Sequence, residues 1–319
     1  MNKLVKVCVT GAGGFVGRHL CAQLVDSNYK VRAVLRSKDD SIFNKAIDGL
    51  EIFEIGDIGE GTDWTVALTG VDCVIHCASR AHVMRENSLD PLGAYRSVNV
   101  EGTRSLAKQA AALGVKRFVF LSSIGVLGIN TNGRGPFSVE DYPAPVDDYA
   151  ISKWEAEQVL HEVAERTALD VVVIRPPLIY GPGVKGNLAR LLDLLRSGVP
   201  LPLGAIENLR SLVGIDNLVS LLLTCINHPD AVNKTFLVSD CEDISTPELL
   251  RRFAAAIHKP ARLVSLPVSL LYLFGWIVRR HRDLERLAGC LQVECSYTCR
   301  VLGWKPPVSM KDGLRKMIW

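Results

Sequence analysis

A tyrosine and a lysine four residues apart, Tyr149 and Lys153, form the pattern in this chain with the clearest chemical potential. On a helix, residues at this spacing lie on the same face, one turn from each other. A phenol ordinarily loses its proton at about pH 10, and a nearby ammonium group lowers that pKa. The pair can then act as a general acid or base between an alcohol and a carbonyl. The same spacing also occurs by chance on surface helices. The surrounding elements must therefore show whether this pair is catalytic.

A glycine-rich segment near the start of the chain predicts a dinucleotide site. Residues 4–10 have the pattern of a buried strand, the stretch 11–17 has glycines at positions 11, 14 and 17, and a helical pattern covers 18–25. This order lets the backbone approach a pyrophosphate, and the helix offers free N–H groups and a positive dipole end to the anion. The alternative is a glycine-rich turn that holds no ligand.

The end of the second predicted strand indicates which dinucleotide binds. That strand covers 29–35 and ends at Leu35, where a protein that prefers NAD usually carries an acid for the adenine ribose. Arg36 follows, and a guanidinium in place of a carboxylate suits the 2′-phosphate of NADP(H). We therefore favour NADP(H) and keep NAD(H) as the alternative, in which Arg36 stacks on the adenine or faces water.

Strand and helix patterns alternate as far as about residue 175, which predicts an α/β fold with a doubly wound parallel sheet of the Rossmann type. Further strands are predicted at 50–55, 71–77, 117–121 and 171–174, and the nearly apolar sequence of 71–77 suits a strand covered on both faces. The segment 235–238 is expected to return to the same sheet.

Two side chains at these strands have the type and place for chemistry. Ser123 closely follows the strand 117–121, at the sheet edge where doubly wound folds bind substrates. His76 lies inside the strand 71–77, and we interpret it as a hydrogen-bonded core histidine rather than a catalyst.

The composition is that of an ordinary folded enzyme. The 319 residues are 48% hydrophobic and 22% charged, and the net charge of +3 is too small to indicate a nucleic-acid partner. The first residues lack a secretion-signal pattern and the nine cysteines have the pattern of reduced thiols, so we expect a cytoplasmic protein. The spacing of Cys290, Cys295 and Cys299 matches no zinc site, and we predict no metal.

Taken together, these segments resemble the extended short-chain dehydrogenase/reductase superfamily, and within it the nucleotide-sugar epimerases, dehydratases and reductases. The resemblance covers essentially the whole chain, because several motifs occur in the family's order. It implies a Rossmann domain with a smaller mixed C-terminal lobe that binds a sugar nucleotide. The cofactor-binding positions that it implies are Gly11, Gly13, Gly14, Phe15, Val16, Gly17, Arg36, Asp57, Ile58, Cys77, Ala78, Ser79, Asn99, Leu121, Tyr149, Lys153, Pro176 and Pro177.

The resemblance also implies roles for three catalytic residues. Tyr149 exchanges a proton with the reacting sugar hydroxyl, and Ser123 hydrogen-bonds the same oxygen. Lys153 binds the nicotinamide ribose and lowers the pKa of Tyr149. The nicotinamide exchanges a hydride with the sugar carbon, usually C4, so the cofactor supplies the difficult chemistry and the protein moves the proton.

The family pattern further divides the chain into two lobes. Residues 1–180 together with about 208–240 are expected to form the cofactor-binding domain, and about 181–207 together with 241–319 the substrate-binding lobe. The substrate positions that it implies are Ser123, Tyr149, Asn187, Leu188, Leu203 and Arg210.

Arg210 and the residues after the sixth strand differ in how they fit the family's substrate site. The guanidinium of Arg210 suits a diphosphate, with a surface salt bridge as its alternative. Where many 4-epimerases carry an asparagine after the sixth strand, this chain has Pro177 and Leu178, which is a departure from the pattern for sugar contacts.

Residues 263–278 are strongly apolar, and the basic stretch 279–282 follows. The segment is too short to span a bilayer. Two interpretations stay open: a helix that packs in the core or between the lobes, and a peripheral helix on the inner membrane surface that brings the enzyme to lipid-linked sugars.

The overall pattern is most similar to bacterial enzymes of surface polysaccharide synthesis, including that of O-antigen and lipopolysaccharide, that act at C4 of a UDP-N-acetylhexosamine. We favour a 4-reductase of UDP-4-keto-6-deoxy-N-acetylhexosamines, of the UDP-N-acetylquinovosamine type, because Leu35 and Arg36 suit NADPH. The alternatives are a 4-epimerase of UDP-N-acetylglucosamine or UDP-glucose that keeps NAD bound, and the same epimerisation on a polyprenyl-diphosphate-linked sugar. A 4,6-dehydratase is disfavoured because Ile124 and Gly125, not an acid pair, follow Ser123.

A further alternative is a non-catalytic dinucleotide sensor. Such proteins commonly lose the tyrosine or the lysine of the catalytic pair, whereas this chain retains both. The family also implies a homodimer that forms through helices near residues 100 and 150.

Overall fold

The computed structural model describes residues 5–37, 48–81, 88–277 and 281–317. The predicted strand start at residue 4, the last apolar residue Val278 and the basic residues Arg279 and Arg280 therefore lie outside the described part of the chain. The strands are β1 (Lys6–Thr10), β2 (Lys30–Leu35), β3 (Leu50–Glu54), β4 (Cys73–His76), β5 (Arg117–Leu121), β6 (Asp170–Arg175), β7 (Leu178–Tyr180), β8 (Arg210–Gly214), β9 (Lys234–Leu237) and β10 (Asp243–Ile244).

Helices and short helical turns connect these strands. The α-helices are α1 (Phe15–Asp26), α2 (Thr65–Leu68), α3 (Pro91–Arg96), α4 (Gly102–Ala112), α5 (Asp148–Arg166), α6 (Asn187–Ser197), α7 (Ile215–Asn227), α8 (Thr246–Ala256), α9 (Val268–Ile277), α10 (His281–Ala288), α11 (Ser296–Leu302) and α12 (Met310–Lys316). A π-helical turn covers Ser97–Glu101, and 3₁₀ turns cover Ile124–Val126 and Pro229–Ala231.

The large sheet has seven strands in the order β3-β2-β1-β4-β5-β6-β9, and every neighbouring pair is parallel. The order reverses direction after β1, as in a doubly wound fold. This confirms the predicted Rossmann-type sheet. The return of 235–238 is also confirmed, since β9 pairs with β6 at Ile174 and Phe236.

The central strands of this sheet are apolar because helices cover both of its faces. Along β1, the side chains of Val7 and Val9 pack on one side with α1 and α7, and Cys8 packs on the other side with α4 and α5. Successive side chains of a strand point to opposite faces, so a doubly covered strand needs apolar residues at every position.

The smaller sheet has the order β10-β8-β7, with β7 and β8 parallel and β8 and β10 antiparallel. It packs with α6, α8 and α12 in a separate core. The predicted return to the large domain near residue 208 is therefore too early, because β8 pairs within the smaller sheet. The strand lies between the lobes: Leu212 joins the smaller core, and Val213 joins the core of the large sheet.

The end of the chain also departs from the predicted division. Leu302 and Trp304, assigned from the family pattern to the substrate lobe, pack into the core of the large sheet. The reason is that α11 lies beside β9, the edge strand, and covers its apolar side chains. The division into two lobes is otherwise still a prediction.

Candidate active site

Helix α5 places Tyr149 and Lys153 on consecutive turns at the carboxyl edge of the large sheet. The helix begins after Asp147, whose carboxylate accepts a hydrogen bond from the backbone N–H of Ala150 at 2.8 Å. Lys153 is only 2% exposed, and its Nζ lies 4.0 Å from the centre of the Phe120 ring on β5. The capping acid fixes where the helix starts, and so it fixes the height of the pair above the sheet.

Burial shifts the pKa values of both members of the pair. Desolvation lowers the pKa of Lys153 to about 7, and the nearby Glu157 acts in the opposite direction. Desolvation raises the pKa of Tyr149 to about 12, while a hydrogen bond with Ser79 lowers it and Asp147 raises it. The predicted lowering of the Tyr149 pKa is thus not found in this structure, because water is withdrawn from the phenolate and burial disfavours the lysine charge.

Two adjacent serines at the end of β5 have different environments. Ser122 is buried, and its hydroxyl donates a hydrogen bond to Glu157. Ser123 is half-buried, and its Oγ accepts a hydrogen bond from the N–H of Gly125 at 3.1 Å. The extended backbone turns the two side chains to opposite sides. Ser123 is therefore the more accessible of the two serines, and its contact with a substrate stays a prediction.

The glycine loop between β1 and α1 fits the pyrophosphate of a dinucleotide. A Cβ at Gly11 would lie 2.7 Å from the backbone nitrogen of Ala78, and one at Gly17 would lie 2.2 Å from the carbonyl oxygen of Gly11. Within the described part of the chain no side chain caps α1, and its first turn carries no acid. The first N–H groups of the helix are thus available to an anion, and a bound dinucleotide would supply the hydride chemistry.

Asn99 holds the segment after β4 against α5. It exchanges two hydrogen bonds with the backbone of Arg80, at 2.8 and 3.1 Å, and donates to the hydroxyl of Ser152 at 2.9 Å. It belongs to the π-helical turn, a feature often found at functional sites. The predicted cofactor residue Asn99 therefore positions its neighbours, including the turn that carries Tyr149 and Lys153.

His76 lies under this edge as a core residue, as predicted. Its ring nitrogens form hydrogen bonds with the hydroxyls of Thr10 at 2.6 Å and Thr103 at 3.0 Å. Burial, with a smaller effect of the Lys153 charge, lowers its pKa to about 3. A neutral histidine saturated with hydrogen bonds connects β1, β4 and α4 and takes no part in proton transfer.

Residues 7–239 match the model of the NAD dependent epimerase/dehydratase family. The chain belongs to this family. The match covers most of the chain and includes the glycine loop, Ser123 and the pair on α5, so the predicted family resemblance is confirmed. The protein is therefore an enzyme of the epimerase/dehydratase type.

Relatives and solved structures agree with this assignment. The chain is 46% identical to a UDP-glucose 4-epimerase of Vibrio cholerae over 97% of its own length and 93% of that protein. It is 29% identical, over 85% of its length and 78% of the relative, to an N-acetyl-alpha-D-glucosaminyl-diphospho-ditrans,octacis-undecaprenol 4-epimerase of Escherichia coli O157:H7. A UDP-glucuronic acid 4-epimerase from Bacillus cereus, solved with NAD, has the same fold, with a TM-score of 0.80, 20% identity and coverage of 98% and 94%.

The epimerase/dehydratase site of this chain contains a buried ion pair that sequence reasoning missed. Glu157 is fully buried and bonds Arg175 through two contacts, of 3.0 and 2.5 Å, besides accepting from Ser122. Glu157 lies one turn beyond Lys153 on the same face of α5. This spacing was the signal that could have pointed to it, because a carboxylate on a buried helical face needs a partner.

The two residues predicted at the adenosine end pair with each other. The guanidinium Nε of Arg36 lies 2.6 Å from the carboxylate of Asp57, and both side chains are exposed, at 72% and 80%. Ile58, next to Asp57, packs instead against the start of α4, where a Cβ on Gly102 would lie 2.5 Å from its Cγ2. The guanidinium of Arg36 therefore has a carboxylate beside it. The sequence pattern did not indicate this pairing.

The other predicted cofactor residues lie around the same edge. The carbonyl of Pro176 accepts from the N–H of Ile124 at 2.9 Å, which joins the ends of β5 and β6. The remaining positions are exposed (Gly13, Gly14), half-buried (Phe15, Cys77, Ser79, Leu121) or buried (Val16, Pro177).

The predicted substrate residues differ in how accessible they are. The side chains of Leu188 and Leu203 are buried in the smaller core, so only their backbone can meet a ligand. Asn187 is exposed at the start of α6. Arg210 is half-buried and donates to the carbonyls of Arg286 and Gly289, the latter at 3.0 Å, rather than to an acid. The predicted substrate contacts are not tested by this arrangement and stay predictions.

Replacing Lys153 with Met is expected to flatten the pH dependence of stability. The pKa of Lys153 is about 7 in the folded protein and 10.5 ordinarily, so between these values the unfolded chain binds the extra proton. The free energy of unfolding then rises with pH across this window, and the burial penalty is fully present only below it. Urea unfolding at several pH values would measure the slope. Exposed Lys108→Met on α4 is the control, and equal slopes for wild type and Lys153→Met would contradict the assignment.

Proposed function

We propose that this enzyme interconverts the C4 epimers of a UDP-sugar, a UDP-N-acetylhexosamine or UDP-glucose, and retains NAD as its cofactor. The supporting observation is the arrangement of Tyr149, Lys153 and Ser123 at the sheet edge that also carries the glycine loop. The helix after that loop has no side-chain cap. It occurs in a chain that is 46% identical, over nearly its full length, to a UDP-glucose 4-epimerase.

In this proposal the residues of the chain move and hold the proton at the sugar O4. Ser123 donates a hydrogen bond to that oxygen. Tyr149 takes up the O4 proton as its phenolate and returns it as its hydroxyl. Lys153 orients the cofactor ribose from beneath, over the ring of Phe120. NAD would act as the hydride acceptor. For epimerisation, both faces of the sugar must be able to meet the cofactor.

A 4-reductase of UDP-4-keto-6-deoxy sugars is the second candidate, and Arg36 is the observation that favours it. The same observation also limits it, because Asp57 lies 2.6 Å from that guanidinium. A 2′-phosphate would bring about two more negative charges to this point, and Arg36 would have to neutralise both groups. The NADP(H) preference thus has weaker support than the Arg36 motif alone suggests, and we place the epimerase first.

The nucleotide released on denaturation separates the two candidates. We expect the purified protein to release NAD, and we expect Arg36→Ala to leave the amount of bound NAD within about twofold, because an exposed, salt-bridged arginine contributes little to a neutral ribose. A protein that purifies empty, binds NADPH, and loses about 10- to 100-fold in NADPH affinity in Arg36→Ala would favour the reductase. The matched control is Arg32→Ala, because Arg32 lies on the same strand, β2, and pairs with Glu51 instead.

Turnover tests the function itself. The NAD-loaded enzyme should convert UDP-N-acetylglucosamine or UDP-glucose to a mixture with its C4 epimer without consuming added nucleotide. NADPH oxidation with a UDP-4-keto-6-deoxy-N-acetylhexosamine would favour the reductase. A protein that carries NAD but turns over neither class of sugar would support the non-catalytic sensor.

We also propose that α9 lies on an anionic membrane surface. Within the described residues, no helix combines the length and apolarity needed to cross a membrane. Among the side chains of this helix that the structure describes, Leu271 is buried and Val268 is half-buried, whereas Leu270, Leu273 and Trp276 are exposed, Trp276 by 72%. This pattern disfavours the core-helix interpretation. Exposed Arg262 before the helix and the basic stretch 279–282 after it in the sequence complement anionic headgroups.

Vesicle sedimentation checks the contact. Wild type should sediment with phosphatidylglycerol-containing vesicles, and Leu273→Ser with Trp276→Ser should reduce the bound fraction by about tenfold or more, since each buried apolar side chain contributes about 1.5–3 kcal/mol. Val66→Ser is the control, because Val66 is an equally exposed apolar residue on α2. Equal sedimentation of all three proteins would refute the contact. Binding to a lipid-diphosphate-linked hexosamine would extend the substrate class to that of the Escherichia coli relative.

The homodimer implied by the family has a candidate surface. An open groove of about 330 Å³ lies between the turn Ser97–Glu101, α4 and α5, with Val100 and Val159 in its lining and charged residues around them. We propose that this face pairs with a second copy. Light scattering should give a mass near twice the 34.9 kDa of one chain. The mass of a single chain would exclude the dimer.

A further inference from the structure

Three cysteines that the catalytic arrangement does not use meet at the far edge of the large sheet. The sulfur atoms of Cys241, Cys295 and Cys299 all lie within 4.8 Å of one another. Cys241 is exposed, Cys295 is buried and Cys299 is half-buried, so the group is open to solvent on one side. All three are free thiols.

The two cysteines of the C-terminal segment are brought together by helix geometry. Cys295 immediately precedes α11, and the N–H of Cys299 donates to its carbonyl at 3.0 Å, one turn later. Residues four apart face the same side of a helix. The hydroxyl of Thr298 donates to the carbonyl of Leu237 at 2.6 Å, which fastens this helix to β9.

The third cysteine comes from the loop after β9, which has its own anchors. The carboxylate of Asp240 accepts from the hydroxyl of Tyr180 at 2.6 Å, from Asn217 at 2.7 Å and from the N–H of Gly214 at 2.9 Å. Cys241 follows with a φ of +57°, in the left-handed region that non-glycine residues rarely adopt. Its N–H donates to the hydroxyl of Ser239 at 3.1 Å. Hydrogen bonds of the loop, rather than contacts between the sulfur atoms, therefore hold the third thiol in place.

We propose that Cys241, Cys295 and Cys299 bind one Zn²⁺ ion, with a water molecule in the fourth position on the exposed side. Thiolates bind zinc at about 2.3 Å, which puts neighbouring sulfur atoms of a tetrahedral site about 3.8 Å apart. The sulfur atoms, which lie within 4.8 Å of one another, need to move only a little closer to reach this geometry. Each thiol releases its proton to solvent on binding, so one Zn²⁺ displaces three protons and the occupied site carries one negative charge.

Hydrogen bonds within the cluster shift the pKa values of the thiols in opposite directions. Hydrogen bonds from Cys241, and lesser ones from Ser239 and Cys299, lower the pKa of the Cys295 thiol against the effect of burial. The pKa of the Cys241 thiol is raised by the same contact.

The sequence prediction of no metal site considered Cys290, Cys295 and Cys299, and the structure replaces one member of that set. The sulfur of Cys290 accepts from the N–H of Leu209 at 3.5 Å, away from the other two. Cys241 takes its place from a remote part of the chain, which no local spacing rule could reveal. The resulting site joins the loop after β9 to α11, and zinc there would brace the edge of the large sheet.

Metal content and thiol protection test the site. The full chain, purified under reducing conditions from zinc-supplemented cells, should carry on the order of one zinc ion per chain. Cys241→Ser and Cys299→Ser should lose it, and Cys290→Ser should keep it. The metal-free wild type with Co²⁺ should develop the thiolate-to-cobalt charge-transfer absorption, which the two cluster variants should lack.

A measurement on the wild-type protein tests the proposal even if a cysteine variant fails to fold. Zinc should protect Cys241 and Cys299 from alkylation by iodoacetamide, and peptide mapping should show Cys290 labelled equally with and without zinc. Two outcomes overturn the proposal: a chain without zinc whose cluster thiols are labelled equally with and without the metal, and a chain in which two cluster cysteines form a disulfide, seen as a mass lower by two hydrogen atoms.

Discussion

Replacing Tyr149 with Phe is expected to lower kcat for C4 epimerisation by about 10²- to 10⁴-fold, with little change in KM, because the variant lacks only the proton-exchanging hydroxyl. The ring of Phe retains the edge contact that Tyr149 makes with Tyr95, at 6.3 Å between ring centres. The fold and the cofactor site should therefore persist. The measurement is conversion of UDP-N-acetylglucosamine and of UDP-glucose by the NAD-loaded enzyme.

Tyr142→Phe provides the matched control for this variant. Tyr142 is 92% exposed and precedes the same helix, so its hydroxyl should contribute nothing to turnover. Bound NAD should be measured in both proteins. A Tyr149→Phe enzyme with more than a tenth of wild-type kcat would show that the phenol is not the general acid and base. A loss of NAD instead of kcat would point to a structural role.

Replacing Glu157 with Gln is expected to lower the free energy of unfolding by about 3–5 kcal/mol, because it leaves the buried guanidinium of Arg175 without its counter-charge. Glu157 is fully buried, and the side chain of Arg175 is 6% exposed, so water cannot replace the lost partner. The carboxylate also accepts from Ser122, so one substitution disturbs contacts to both β5 and β6. Urea unfolding at neutral pH measures the effect.

The same helix offers a control of the same residue type. Glu155 pairs with Arg96 at 2.8 and 2.5 Å, but both side chains are partly exposed. Because solvent screens an exposed pair, Glu155→Gln should cost less than about 1 kcal/mol. Similar losses for Glu155→Gln and Glu157→Gln would contradict the role of burial. If the uncompensated charge is the cause, adding Arg175→Met to Glu157→Gln should recover part of the loss.

The parts of this protein that could be predicted from the sequence depend on local periodicity. Continuous apolar runs predicted the strands of the large sheet, because a doubly covered strand must be apolar at each position. Gly11 before α1 and Gly17 in its first turn are similarly constrained, since a Cβ at Gly11 would clash with Ala78 and one at Gly17 with the carbonyl oxygen of Gly11. Tyr149 and Lys153 were placed together by helix geometry alone. The fold, the family and the centre of the candidate site follow from these patterns.

Contacts between distant segments were decided only by the tertiary structure. Arg36 meets Asp57 because β2 and β3 are neighbours in the sheet, and Glu157 meets Arg175 because α5 packs against β6. The strand β8 pairs with β7 and β10 in the smaller sheet, a pairing that no local pattern in its sequence indicates.

The thiol cluster shows the same division between local and tertiary information. The spacing of Cys295 and Cys299 is a helical repeat and could be recognised in the sequence, whereas Cys241 joins them only after β9 has paired with β6 and α11 has packed beside it. A helix or strand period relates residues a few positions apart, and it carries no information about which loop ends beside which helix. That choice depends on how apolar faces are buried against each other throughout the chain.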